Sequence, residues 1–149
     1  MKKEKYKWQE KLKLEVITMP YFGKRSKENL ETCHPDLQKL FNEVIAYFDC
    51  SVICGHRTEE EQNKAYHEGR SKLKYPQSKH NKTPALAADV VPYPIDWMDT
   101  RRFYMFVGIV RGIAALMNIP IRCGADWDGD MELKDQDFHD LVHFELLET

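Results

Sequence analysis

Residues 34–54 constrain most tightly what this chain can fold into. His34-Pro35-Asp36 opens a helix, and Leu37, Leu40, Phe41, Val44, Ile45 and Phe48 follow at strict i, i+3, i+4 spacing, so one face of that helix must be buried. Ser51-Val52-Ile53-Cys54 reads as a short apolar strand ending at Gly55. Thr58 with Glu61 makes a capping box, which predicts a second helix over residues 59–68 that stops at Gly69.

Beyond Gly69 the pattern alternates between polar loops and short apolar elements. Residues 70–84 are polar and contain Pro76 and Pro84, the mark of a long loop, and long loops in compact domains are often functional. Ala85 to Val91 is a small apolar strand interrupted by Asp89. Asp99 or Thr100 can cap a helix carrying Phe103, Phe106, Val107, Val110, Ala114 and Met117 on one face. Ile119–Cys123 and Leu141–Leu147 read as strands on either side of an acidic loop. The 149 residues suffice for one compact domain, and helices around a small antiparallel sheet make the expected class α+β.

Charge is uneven although the net value is only −2, which gives no case for nucleic-acid binding. Residues 1–13 hold six lysines against two glutamates, and residues 126–140 hold seven acids against Lys134. Residues 1–20 are therefore set apart as a basic N-terminal arm, and residues 21–149 as the domain proper. Trp8, Leu12, Val16 and Met19 give the arm an apolar stripe at near-helical spacing, open to two readings: a docking helix, or a membrane-surface or envelope-binding segment. Charges interrupt residues 12–17, so no signal-peptide core follows the basic start, and no run is long enough to span a bilayer. The expectation is a chain kept in the cytoplasm, without stable membrane insertion. In that setting Cys33, Cys50, Cys54 and Cys123 are read as reduced thiols. A structural Cys/His zinc site near His34 and His56 is the alternative.

Two residues are out of place in apolar strands. Asp89 shares a strand face with Ala87 and Val91, where a carboxylate is costly unless paired or bound to metal. His143 lies between Val142 and Phe144, on the face of Leu141 and Glu145. Together with His80, where the long loop approaches the strand, they form a workable set of three zinc ligands that leaves a position open for water. Asp140, three residues before His143, is near enough to move the proton of that water. His139-Asp140-Leu141-Val142-His143 also looks like HExxH with Asp for Glu. The alternation of that stretch favours a strand over the helix that this reading needs.

Ser78-Lys79-His80, Ala87-Ala88-Asp89 and Asp140-Leu141-Val142-His143-Phe144-Glu145-Leu146 together resemble the D-alanyl-D-alanine carboxypeptidase and L-alanyl-D-glutamate endopeptidase family. Gly55-His56-Arg57-Thr58 with Glu61-Gln62 and Ala65-Tyr66 is similar to the family's upstream motif, and Cys123-Gly124-Ala125-Asp126-Trp127 to a segment of its phage endolysin members. The likeness runs from about Phe22 to Glu148. Asn81-Lys82-Thr83-Pro84 enlarges a connection that is shorter in many relatives, and Val142 stands where many phage relatives carry proline.

The resemblance implies a Hedgehog/DD-peptidase-like α+β fold, with Zn²⁺ held by His80, Asp89 and His143 and Asp140 as general base. It gives Arg57 the scissile carbonyl oxygen, Ser78 the substrate or the Asp89 side chain, and Gln62 and Tyr66 the substrate as cleft-lining residues. The implied activity is that of a monomeric zinc endopeptidase on peptidoglycan stem peptides, an endolysin waiting in the host cytoplasm for release to the wall. A D-alanyl-D-alanine dipeptidase or carboxypeptidase is the nearest alternative, and a non-catalytic wall-binding zinc domain the other. Asp126, Asp128 and Asp130 also match the opening spacing of an EF-hand loop, with Asp137 at its twelfth position. Met131 occupies the glycine position, so a solvated loop and a Ca²⁺ site both stay open.

Overall fold

The computed structural model describes residues 19–148. The basic arm lies outside the described residues except for Met19 and Pro20. In chain order the elements are α1 (Lys24–Glu31), α2 (Pro35–Tyr47), β1 (Cys50–Cys54), α3 (Glu59–His67), a 3-10 turn (Lys79–Asn81), β2 (Ala87–Pro92), α4 (Thr100–Leu116), β3 (Ile121–Cys123) and β4 (His143–Leu146). The strands form one antiparallel sheet in the order β1-β2-β4-β3. The expected α+β class is the one observed.

Local chemistry explains most boundaries. His34 caps α2 through Nδ1, which accepts the Asp36 N–H at 3.1 Å. The reciprocal capping box of Thr58 and Glu61 opens α3, and Gly69, at φ +73°, follows its last turn. Asp99 rather than Thr100 caps α4. α1 has no helical signature in the sequence, because it buries only Ser26 and Leu30, too little apolar surface to make a stripe. Three expected strands are shorter than their apolar runs. β2 starts at Ala87, with Ala85 forming an isolated parallel bridge to Cys33. β3 starts at Ile121, and β4 at His143, because residues 140–142 turn and the His143 N–H returns to Asp140 O at 3.2 Å. Since His143 opens a strand, the helical HExxH-like reading does not hold.

The sheet has two unlike faces. Ala88 and Phe144 pair across β2 and β4, with Val90 and Cys123 nearby, and all four are buried in the core. Phe41 of α2 and Phe106 of α4 meet the Phe144 ring edge-on at 5.5 and 5.9 Å. On the other face Asp89 stands opposite His143, and Ala87 and Arg122 opposite Glu145. The helices therefore leave a row of ionisable side chains uncovered.

Candidate active site

Three ligand-capable atoms converge on that face. His80 Nε2 lies 3.1 Å from Asp89 Oδ1 and 3.2 Å from His143 Nδ1, and His143 Nδ1 lies 3.3 Å from Asp89 Oδ1. Each imidazole is fixed from its far side. His80 Nδ1–H donates to Gly55 O at 2.7 Å, and His143 Nε2–H donates to Glu145 Oε2 at 2.8 Å. With those tautomers two lone pairs and a carboxylate oxygen face one another, an arrangement that requires a cation, either a proton or a metal ion, between them.

The same demand appears in the proton affinities. Burial works against the charged form of His80, but Asp89 outweighs it and raises the pKa to about 10. His143 is raised as well: burial opposes its charge, and the carboxylates of Asp89 and Glu145 prevail. Burial would raise Asp89, yet the two imidazoles hold it well below the usual carboxylate range.

Geometry provides a test of fit for a metal. Ligands about 2.0–2.1 Å from a tetrahedral zinc lie about 3.3–3.4 Å apart, and the three observed separations fall at or just inside that edge length. Two neutral nitrogens and one carboxylate oxygen, each histidine oriented by an outer acceptor, suit zinc. Cys54 also approaches, its sulfur forming a cluster with ligand atoms of His80 and Asp89 within 4.8 Å. It does so at 3.9 Å from His80 Nδ1, the nitrogen already bonded to Gly55 O, whereas His143 faces Nε2. His143 is thus the residue that meets His80 at its inward nitrogen.

Positioning begins in the backbone. Ser78 caps the 3-10 turn, accepting the His80 N–H at 3.2 Å, and so presents His80. A Cβ on Gly55 would come within 2.2 Å of Asn29 O, so only glycine lets the β1 end pack there and offer its carbonyl to His80. A register break between Val52 and Cys54 brings Cys54 opposite Asp89. Arg57 donates from Nη2 to Asp89 Oδ2 at 3.1 Å and from Nη1 to Gln62 Oε1 at 3.0 Å. Its fork leaves Asp89 Oδ1 for the two histidines.

Asp140 lines the same cleft, of about 650 Å³, as Arg57, Ser78, His80, Asp89 and His143. Burial, then the charge of Asp89, raises its pKa. Gly124 backs it closely: a Cβ there would lie 2.3 Å from Asp140 O and 2.8 Å from its Cβ. Hydrogen bonds from Asp140 N to Gly124 O (2.8 Å) and from Gly124 N to His143 O (2.9 Å) tie the turn together.

Gln62 and Tyr66 are not among the residues that line the cleft. Gln62 is fully buried and bonds Arg57, Ser71 and Leu73, so it braces residues that line the cleft. Tyr66 carries Lys74 over its ring at 4.9 Å and is not among the cleft residues.

Glu145 shares the strand face of His143 and orients it from behind. It is buried, accepts from His143, is bound by Arg122 at 2.9 and 2.6 Å, and has a pKa lowered to about 2: burial would raise it, but His143 and Arg122 prevail. Trp127 and Phe138, stacked at 6.3 Å, form a cleft wall with the Trp127 ring 5.4 Å from that of His143.

The remaining polar clusters are otherwise engaged. All four cysteines are free, and burial pushes Cys33, Cys50 and Cys123 up to about 12, which keeps them protonated. In the acidic loop Asp126, Asp128 and Asp130 bring oxygens within 4.8 Å of one another. Asp126 is already paired with Arg111 and accepts the N–H groups of Gly129 and Met131, so a calcium ion would have to compete with an arginine.

Fold and cleft together define a class: a small α+β peptidase in whose cleft two histidines and an aspartate converge. The family model for phage L-alanyl-D-glutamate peptidase matches residues 19–147, and the chain belongs to that family of peptidase hydrolases. It is similar to the L-alanyl-D-glutamate peptidase of Escherichia phage T5, with 31% identity over 126 residues, covering 81% of this chain and 88% of that protein. Its fold matches the crystal structure of the Serratia marcescens L-Ala D-Glu endopeptidase ChiX with a TM-score of 0.67 and 26% identity, over 85% of this chain and 90% of the other.

Proposed function

We propose that this protein is a zinc-dependent endopeptidase that hydrolyses the L-alanyl–D-glutamate bond of peptidoglycan stem peptides. The observation that carries this reading is the convergence of His80 Nε2, Asp89 Oδ1 and His143 Nδ1 at 3.1–3.3 Å, in a chain of the phage L-alanyl-D-glutamate peptidase family. A zinc ion bound there would acidify a water and polarise the scissile carbonyl. Asp140 takes the proton of the attacking water and hands it to the leaving amine; its raised pKa suits a group that must both accept and release a proton. Arg57 holds Asp89 in place and lines the cleft in which negative charge develops on the carbonyl oxygen. Ser78 presents His80.

Residues 21–149 constitute the peptidase domain in this reading, and they hold every group used, as a monomeric peptidase requires. No helix among the described residues is long and apolar enough to cross a membrane. The family supports an endolysin that accumulates in the host cytoplasm and is then released to the wall. Digestion of purified muropeptides, followed by mass spectrometry, tests the bond. New D-glutamate amino termini are expected, with free D-alanyl-D-alanine left uncut. Terminal D-alanine as the main product would instead make the protein a carboxypeptidase.

A further inference from the structure

Five cations line the cleft: Arg57, Arg70, Lys72, Lys79 and Arg122. Four have acidic partners. Arg57 is 3.1 Å from Asp89, Arg70 is 2.5 Å from Glu68, and Lys79 and Arg122 are 4.0 and 2.6 Å from Glu145. Among the described residues Lys72 has no such partner; its ammonium stands 4.6 Å from the centre of the Phe138 ring. A cation on an aromatic face is held in place yet keeps N–H groups for a ligand.

The backbone around Lys72 is anchored. Gln62, fully buried, donates from Nε2 to Ser71 Oγ at 3.0 Å and to Leu73 O at 2.6 Å, on either side of Lys72. The wall beneath it is also fixed. Phe138 stacks on Trp127, whose Nε1–H donates to Phe138 O at 2.7 Å, and the Trp127 ring continues to His143. An uncommitted positive charge is thus fastened to the wall that leads to the ligand set.

Substrate chemistry supplies the matching anion. A glutamate inside a chain has two carboxyl groups, and only one can carry the chain onward. The residue on the amine side of an alanyl–glutamate bond therefore presents a free carboxylate unless it is amidated. We propose that Lys72, on its Phe138–Trp127 wall, is the specificity residue that recognises this free glutamate carboxylate; the assignment rests on the endopeptidase reading above. Lys72 holds the substrate and takes no part in proton transfer, so its effect falls on KM.

Two stem peptides that differ only in a carboxylate or a carboxamide on the glutamate test this with the full-length zinc-loaded protein. The unaltered protein should favour the carboxylate peptide about three- to tenfold in kcat/KM, mostly through KM, and less so at high salt. Lys72→Met, which keeps the side-chain length over Phe138, should act on both peptides at similar rates, and Lys72→Arg should restore the preference. An unchanged melting temperature would show that the exposed substitution leaves the fold intact. A preference that survives in Lys72→Met, or none in the unaltered protein, overturns the assignment while cleavage itself still supports the endopeptidase. If neither peptide yields a glutamate amino terminus, the endopeptidase reading falls, and the assignment with it.

Discussion

His143 and Phe144 are consecutive in β4, yet they belong to opposite faces of the sheet and answer to different physics. Phe144 is closed over by Phe41 and Phe106, in a face of Ala88, Val90 and Cys123 whose only task is to exclude water. His143 faces Asp89, Glu145 and the open cleft. The period-2 alternation of one strand thus attaches a row of costly polar groups to a packed apolar layer. Stability comes mainly from the first face, and function is confined to the second.

Substitutions on the two faces should separate accordingly. The largest effect is expected from Asp140→Asn, which should lose about 10²–10⁴-fold in turnover while keeping metal and fold. The sign of its stability effect follows from the raised carboxyl pKa. A group whose folded pKa is raised stabilises below its unfolded value, and loses that contribution as pH rises through the folded value. In the metal-free protein at neutral pH, Asp140→Asn should therefore melt at or slightly above the unaltered chain. The difference should shrink below the ordinary carboxylate range. Activity within threefold of the unaltered protein would move the base elsewhere, with Glu145 or His139 next to be tried.

Phe144→Ala addresses the other face and should cost about 3–5 kcal/mol of stability, measured by urea unfolding. A loss below about 1 kcal/mol would mean that the apolar face is not the main anchor of the sheet. Glu145→Ala tests the link between the faces and the metal. It removes the acceptor that orients His143 and leaves Arg122 without its partner. Zinc affinity should fall about 10–100-fold in a chelator competition, and an unchanged affinity would reduce Glu145 to a buried ion-pair partner of Arg122.

Much of this contrast is legible in the sequence because it rests on local rules. Helical spacing marked α2 and α4, the Thr58–Glu61 box marked α3, and an acid and a histidine inside apolar strands marked Asp89 and His143. What escaped depends on contacts between distant segments. Alternation alone puts Val52 and Cys54 on one face, and only the register break brings Cys54 opposite Asp89. Nothing near Gly124 announces that the Asp140 backbone presses against it, nor does the sequence show that Gln62 is sealed between Arg57 and the residues 71–73. The sequence places Glu145 on the strand face of His143, two residues away. The purpose of its charge depends on Arg122, which arrives from another strand.

The metal content of the purified protein tests most directly whether the polar face is a catalytic zinc centre. Elemental analysis after exhaustive dialysis should find one zinc per unaltered chain and almost none in His80→Ala or His143→Ala, with the variants still folded by circular dichroism. Zinc in either folded variant at the level of the unaltered protein would contradict the assignment of His80, Asp89 and His143 as the ligand set.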